Sequence, residues 1–360
     1  MKKNINNVER MELINLSYKL EVHEFNKLLN ILKEKYDIFA PKRFVGKGNF
    51  SDTDYIRYDK INNFNDIEFE EKSNVPAKEV VFPITQTTLY FNEDSYSVPN
   101  VSEKEKLVIA RACDITGIHR LDTLYYKNGE KDFYYSKLRE KVKFIILECN
   151  HAYKNCFCVS MGGNITDDHV MGMKVYDNNI FLEIDNEEFN DYFEDIKSEE
   201  VDYKFHYVEE NNIKVKAPRV KEMPKEVLTD ERIWSNYDRC VKCGRCNLNC
   251  ATCTCFASSD LFYSENKNVG ERRRVWTSCH FDKFSLMAGN HSFRIENRER
   301  GRYHVLHKVY DFKKKFKEGN MCVGCGRCED TCPQYISYIE TVNKLTEILE
   351  KEHKDLLLED

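Results

Sequence analysis

The sequence contains no long apolar run. Stretches such as Leu107–Ala110 and Phe144–Leu147 are among its longest, far short of the roughly 20 residues that span a bilayer. Two lysines open the chain, but no apolar segment follows them in MKKNINNVERMELINLSYKL. No secretory leader is therefore expected, and the cytoplasm is the expected compartment. Excess positive charge is also missing. A net charge of −6 argues against nucleic acid as a partner, and nothing points to a membrane. The basic runs Arg272–Arg274 and Lys313–Lys315 read as solvated helix faces, with docking of an acidic partner as the alternative. A nucleotide fingerprint is lacking: Gly46-Lys47-Gly48 has no third glycine and no preceding strand–helix context. With no triad pattern either, no catalytic residue is expected.

Cysteine is what the chain has in excess, 15 residues in all. A reducing cytoplasm does not maintain structural disulfides, and an odd, clustered set suits a disulfide framework poorly, so metal is favoured. The length of 360 residues suits two domains, each with its own core. Val22 to Tyr36 places Phe25, Leu28, Leu29 and Leu32 at helical spacing, and Pro41 marks extended chain through Asp37–Phe44. Glu79–Phe91 reads as a strand in which Pro83 suggests an edge or a bulge. Lys106–Arg111 and Lys143–Glu148 are short apolar runs of the kind buried on both faces of a sheet, with a helix expected from Ile115 to Tyr126 between them. That is the layout of a βαβ unit. The stretch Asn211–Lys225 reads as a linker, and helices are expected over Arg302–Phe316 and Tyr338–Leu358. The expected architecture is an α/β domain over 1–225 followed by an all-α two-cluster ferredoxin-type domain over 226–360.

Two runs share the spacing C-x2-C-x2-C-x3-C: Cys240, Cys243, Cys246 and Cys250, then Cys322, Cys325, Cys328 and Cys332 followed by Pro333. In bacterial ferredoxins of this spacing three cysteines ligate one cubane and the fourth reaches the other. The expected ligand sets are therefore crossed. Cys240, Cys243, Cys246 and Cys332 hold one [4Fe–4S] cluster, and Cys322, Cys325, Cys328 and Cys250 hold the second. Gly244, Gly324 and Gly326 would let backbone N–H groups approach the sulfides. Zinc pairs are the alternative, but zinc has no use for a third cysteine at fixed spacing plus an x3 fourth, repeated twice. Cys250 is followed by Ala251 instead of proline, and Cys253 or Cys255 could replace it as the fourth ligand. Parallel strands would also bring Cys113 and Cys149 to one carboxyl edge, with Cys156 and Cys158 in the next loop, a set suited to a third [4Fe–4S] cluster or to zinc. Small buried hydrophobes are the plainer reading of those four. Cys279 and His280 stay unassigned, and His291, His304 and His307 read as surface or core residues.

With those residues in view, the chain resembles the iron–sulfur electron-transfer subunit of anaerobic sulfite reductases. The likeness rests on APKRFVGKGNFSDTD, PITQT, RACDITGIHRLD, NCFCVSMG, CVKCGRCNLNC, CTCF, GERRRVW, AGNHSFR, LHKVYDFKKKF and MCVGCGRCEDTCPQYIS. It is similar, more distantly, to the electron-transfer beta subunit of soluble sulfhydrogenases. The first resemblance implies a three-subunit, NADH-dependent complex in which a flavin/NAD-binding reductase subunit passes electrons through this chain to a siroheme subunit that reduces sulfite to sulfide. The second implies a hydrogenase partner, and a heterodisulfide-reductase-like complex is a further alternative.

Overall fold

The computed structural model describes residues 16–48, 52–100, 102–263, 265 and 267–358. Most of the opening segment, and part of GKGNFSDTD, lie outside the described residues. Among the described residues there are twelve strands: β1 (Ser17–Glu21), β2 (Tyr36–Phe44), β3 (Tyr55–Lys60), β4 (Thr85–Asn92), β5 (Ser95–Ser97), β6 (Glu105–Ala110), β7 (Val142–Leu147), β8 (Met171–Tyr176), β9 (Asn179–Ile184), β10 (Glu199–Glu200), β11 (Phe256–Phe262) and β12 (Val269–Trp276). They form an eight-stranded sheet in the order β10-β1-β9-β8-β7-β6-β2-β3 and a four-stranded sheet in the order β11-β12-β4-β5.

The centre of the large sheet is parallel, through β2–β6, β6–β7 and β7–β8, and its flanks are antiparallel. The helix Val22–Lys35 lies on one face. Its Phe25, Leu28, Leu29 and Leu32 are all buried, one apolar stripe at i, i+3, i+4 and i+7. The helix Ala112–Lys127 covers the other face, packing Ile115, Ile118 and Leu121 against Val108, Phe144 and Ile146. Strands β6 and β7 read as continuous apolar runs because both faces are covered. Among the described residues, no helix is long and apolar enough to cross a membrane.

The all-α expectation for 226–360 is overturned. Strands β11 and β12 lie between the two cysteine runs, and β12 pairs along β4 from Val269↔Asn92 to Val275↔Thr85. The aromatic and β-branched residues Phe256, Phe262, Val269, Val275 and Trp276 suit a pleated surface, and a sheet partner was available from an early part of the chain. Arg272–Arg274 therefore belongs to a strand and not to a helix. Arg274 is buried, donates to Asp132 (2.9 Å) and Gln86 (2.8 Å), and sits 5.1 Å from the ring centroids of both Phe82 and Phe256. A buried cation kept by a carboxylate and aromatic faces is a structural device. Pro83 precedes β4, an interior strand of its sheet, and so interrupts nothing.

The helix Asn297–Leu306 continues through a π-turn, His307–Asp311, into Phe312–Phe316, and Tyr338–Glu352 forms the last long helix. These two helical stretches pack Val305, Val309, Val342, Leu345 and Leu349 against Trp234 and Tyr237, enclosing the cysteine runs from one side.

Candidate metal centres

The cysteines converge on three cavities. The first is lined by Cys240, Cys243, Cys246, Cys328 and Cys332. The second is lined by Cys246, Cys250, Cys322, Cys325 and Cys328. The third, in the N-terminal half, is walled by Cys113, Cys149, Cys156 and Cys158. Local structure accounts for each set. Gly244 and Gly326, both at positive φ, open the short helices Arg245–Leu248 and Arg327–Thr331, which carry the third cysteine of each run. Cys113 follows β6, Cys149 follows the parallel neighbour β7, and Cys156 and Cys158 come from the loop beyond. The carboxyl edge of a parallel sheet is where open α/β folds place ligands.

Several features show whether these cavities suit an iron–sulfur cubane. Among the described residues, no three cysteine sulfurs lie within 4.8 Å of one another; the one group that close is Cys246 with His280 and His304. Four thiolates about 2.3 Å from one zinc would be about 3.8 Å apart, so the sulfurs are spread too widely for a single ion. Backbone N–H groups already point at ligand sulfurs: Lys242 to Cys240, Thr252 to Cys250 and Gly324 to Cys322, each at 3.4 Å, and Ile336 to Cys332 at 3.3 Å. Buried polar atoms beside the cysteines, His280 Nε2 and Arg327 Nη1, have no hydrogen-bond partner among the described residues. Donors left open around spread thiols match a cluster whose sulfides accept hydrogen bonds.

The electrostatics of the three sites differ. Burial pushes the Cys322 thiol up to about 12 and also raises Cys246, Cys328, Cys113, Cys149, Cys156 and Cys158. A thiol that takes up iron here sheds a proton as it binds. Cys250 departs from this, its thiol held well below the usual range by a hydrogen bond with Cys253 and by the Lys308 and Lys78 ammoniums. Lys308 lines the second cavity and donates to Thr252 Oγ1 at 2.9 Å. Burial opposes its charge, but the sulfurs of Cys250, Cys253 and Cys322 outweigh that and hold its pKa well above normal. At the third cavity Lys72 lies 3.9 Å from Cys156 Sγ and donates to the Cys325 carbonyl at 2.9 Å. The first cavity has neutral imidazoles instead: burial pulls His280 down to about 4 and His304 well below its usual value. Substituting Lys308→Met is therefore expected to lower the potential of the second cubane by some tens of millivolts, because a buried cation favours the more negative reduced state. Potentiometric titration followed by EPR would measure it, and an unchanged midpoint would contradict it.

Cys253, Cys255 and Cys279 line none of the three cavities. Asn247 Nδ2 holds Cys253 Sγ at 3.3 Å and Cys279 Sγ at 3.2 Å, while the Cys255 and Cys279 thiols hydrogen-bond to each other. Sequence reasoning missed Asn247, His280, His304, Lys72, Lys308 and Arg327 as contributors. They are single polar residues with no spacing of their own, and only their burial marks them. The glycines also do more than was inferred. A Cβ on Gly324 would lie 2.3 Å from the Phe157 carbonyl oxygen, and one on Gly326 would lie 2.0 Å from that of Asn155. They admit the loop of the third site, not only sulfide.

Residues 239–336 match the family of 4Fe-4S dicluster domains. The matched segment spans both cysteine runs and the β11–β12 hairpin between them, and with the cysteine-rich runs it supports [4Fe–4S] clusters as the cofactors. Along nearly its whole length the chain is also similar to the sulfhydrogenase 2 subunit beta of Pyrococcus furiosus, with 27% identity over 351 residues, covering 91% of this chain and 98% of the relative. The similarity thus runs beyond the matched segment and takes in the α/β half.

Proposed function

We propose that this chain is the electron-transfer subunit of a hydrogenase- or sulfhydrogenase-type complex, a three-cluster conduit without acid–base chemistry of its own. The continuity of the three cavities carries this reading. The third meets the second where Phe157 N donates to Gly324 O at 2.8 Å and Cys156 Sγ approaches Cys325 O at 3.7 Å. The second meets the first across Cys246, Cys328, His304 and Tyr338, which line both. The order is therefore third site, second cubane, first cubane. The first cubane ends at the surface, where Cys243, Val241 and Tyr335 are exposed, a place for one redox partner to approach. A flavin-bearing subunit that takes two electrons from a nicotinamide and releases them singly suits one end, and a multi-electron acceptor suits the other. The relative's subunit name supports the hydrogenase-type assembly.

The motif series from APKRFVGKGNFSDTD to MCVGCGRCEDTCPQYIS supports a second reading, the sulfite reductase complex with a siroheme subunit. Subunits that copurify decide between them: nickel favours the first, siroheme absorption the second. Both readings share one test. Anaerobically prepared protein is expected to hold about twelve irons and as many acid-labile sulfides, about four per cubane. The double substitution Cys156→Ala/Cys158→Ala is expected to remove about four of each. An unchanged count in that variant would remove the third cluster, and a preparation without inorganic sulfide would end the conduit.

A further inference from the structure

The dicluster domain repeats one cysteine spacing, yet it surrounds its two cubane cavities differently, with a buried ammonium beside the second and two buried imidazoles beside the first. His280 is 1% exposed. Its Nδ1 stands 4.0 Å from Cys240 Sγ and its Nε2 has no partner among the described residues. A neutral imidazole carries one N–H. Whichever nitrogen holds it, the described residues offer no oxygen or nitrogen acceptor, and sulfur is the acceptor in reach.

His304, 4% exposed, stands between the two cavities and lines both. Asn247 Nδ2 lies 3.3 Å from His304 Nδ1. The same amide also faces Cys253 Sγ and Cys279 Sγ; where one of its two hydrogens goes to His304 Nδ1, the ring proton sits on Nε2. A ring nitrogen of each histidine and Cys246 Sγ all lie within 4.8 Å of one another. The rings are held in place: His280 stacks on Tyr237 at 6.2 Å with an interplanar angle of 11°, and His304 meets Tyr338 edge-on at 5.8 Å. Imidazoles this close to two ligand sulfurs are poorly placed to occupy an iron vertex of their own. They are placed to donate to the sulfurs.

We propose that His280 and His304 are positioning residues that donate N–H hydrogen bonds to the sulfur face of the first cubane at Cys240 and Cys246, and so raise its reduction potential independently of the second. This rests on the reading that the first cavity holds a [4Fe–4S] cluster. A donor aimed at a cluster sulfur stabilises the reduced state, which carries one more negative charge, more than the oxidised state. The first cubane is then tuned by imidazole donors at the exposed end of the conduit, and the second by the Lys308 ammonium in its interior.

The test uses the anaerobically prepared full chain, with potentiometric titration followed by low-temperature EPR. The first cubane is identified as the signal lost in Cys243→Ser, a first-run cysteine that lines only the first cavity. In His280→Leu, iron and sulfide content is expected to stay as in wild type. At the wild-type midpoint the reduced-to-oxidised ratio of the first cubane is expected to fall about tenfold, equivalent to about 59 mV for one electron. The second cubane is expected not to move. His280→Gln, which retains an N–H donor, is expected to restore most of the shift. An unshifted first cubane, a uniform shift of every cluster, or no recovery with glutamine would each overturn the proposal. Should His280→Leu fail to hold the first cubane, wild-type protein labelled with 15N-histidine provides the second measurement: a weak 15N coupling on the reduced first cubane is expected, and its absence overturns the proposal. Protein lacking iron and sulfide would instead refute the cluster reading itself.

Discussion

Replacing Arg327 by methionine is expected to cost about 3–5 kcal/mol of stability and to strip iron from the second and third cavities together. Arg327 lies between Cys325 and Cys328, and its guanidinium reaches into the α/β half. It donates to Asp114 Oδ2 at 2.7 Å, to Ser73 Oγ at 2.8 Å and to the Ser73 carbonyl at 2.8 Å, and both charged residues are almost fully buried. Asp114 follows Cys113 and also accepts from Tyr58 Oη (3.0 Å) and the Ala77 amide (3.2 Å). One ion pair therefore fixes the loop that lines the second cavity against the residue next to Cys113, which lines the third. Methionine leaves the Asp114 carboxylate buried without its cation, which is the costly way to break such a pair. The double substitution Arg327→Met/Asp114→Leu is expected to recover part of the loss, since removing both charges leaves no unpaired ion. Anaerobic chemical denaturation and iron analysis would measure both effects. Retention of all the iron in Arg327→Met would show that the pair does not organise these sites.

Much of this was legible in the sequence where a periodic pattern carried it. The stripe Phe25, Leu28, Leu29, Leu32 gave the first helix to within a residue, and the apolar runs at β6 and β7 gave adjacent parallel strands. Cysteine spacing gave a dicluster domain because three ligands wrapped around one cubane demand that interval. The β11–β12 hairpin was not legible. Its ERRRVW segment has the charge of a solvated helix, and only pairing with β4, far away in sequence, makes it a strand and buries Arg274. The residues around the clusters were hidden for a related reason. Lys308 and His304 sit four apart in one continuous helical stretch, where the sequence leaves His304 as surface or core and marks nothing at Lys308, and it is the packing of the Tyr338–Glu352 helix that turns that side inward. Long-range packing decides such positions, and no local interval records it.

A crossed arrangement of ligands, the one expected from the cysteine spacing, makes the last prediction, and it would separate residues that look equivalent. Cys250 and Cys332 each close a C-x2-C-x2-C-x3-C run, yet each lines the cavity of the opposite run. Cys332→Ser is therefore expected to remove the first cubane, which the first run otherwise holds, and Cys250→Ser to remove the second. Each variant should lose about four irons and a different EPR signal, and the combined variant should lose about eight. Cys253 is near enough to hydrogen-bond with Cys250, so rescue by that thiol is the natural objection. Its sulfur is already held by Asn247 at 3.3 Å and faces none of the cavities, and capture by the second cubane would have to break that contact. Adding Asn247→Ala to Cys250→Ser therefore gives Cys253 its best chance. If iron returns only in that double variant, Asn247 is what keeps the spare thiols apart from the clusters. If Cys250→Ser and Cys332→Ser abolish the same signal, the ligands are not crossed, and each run closes on its own cubane.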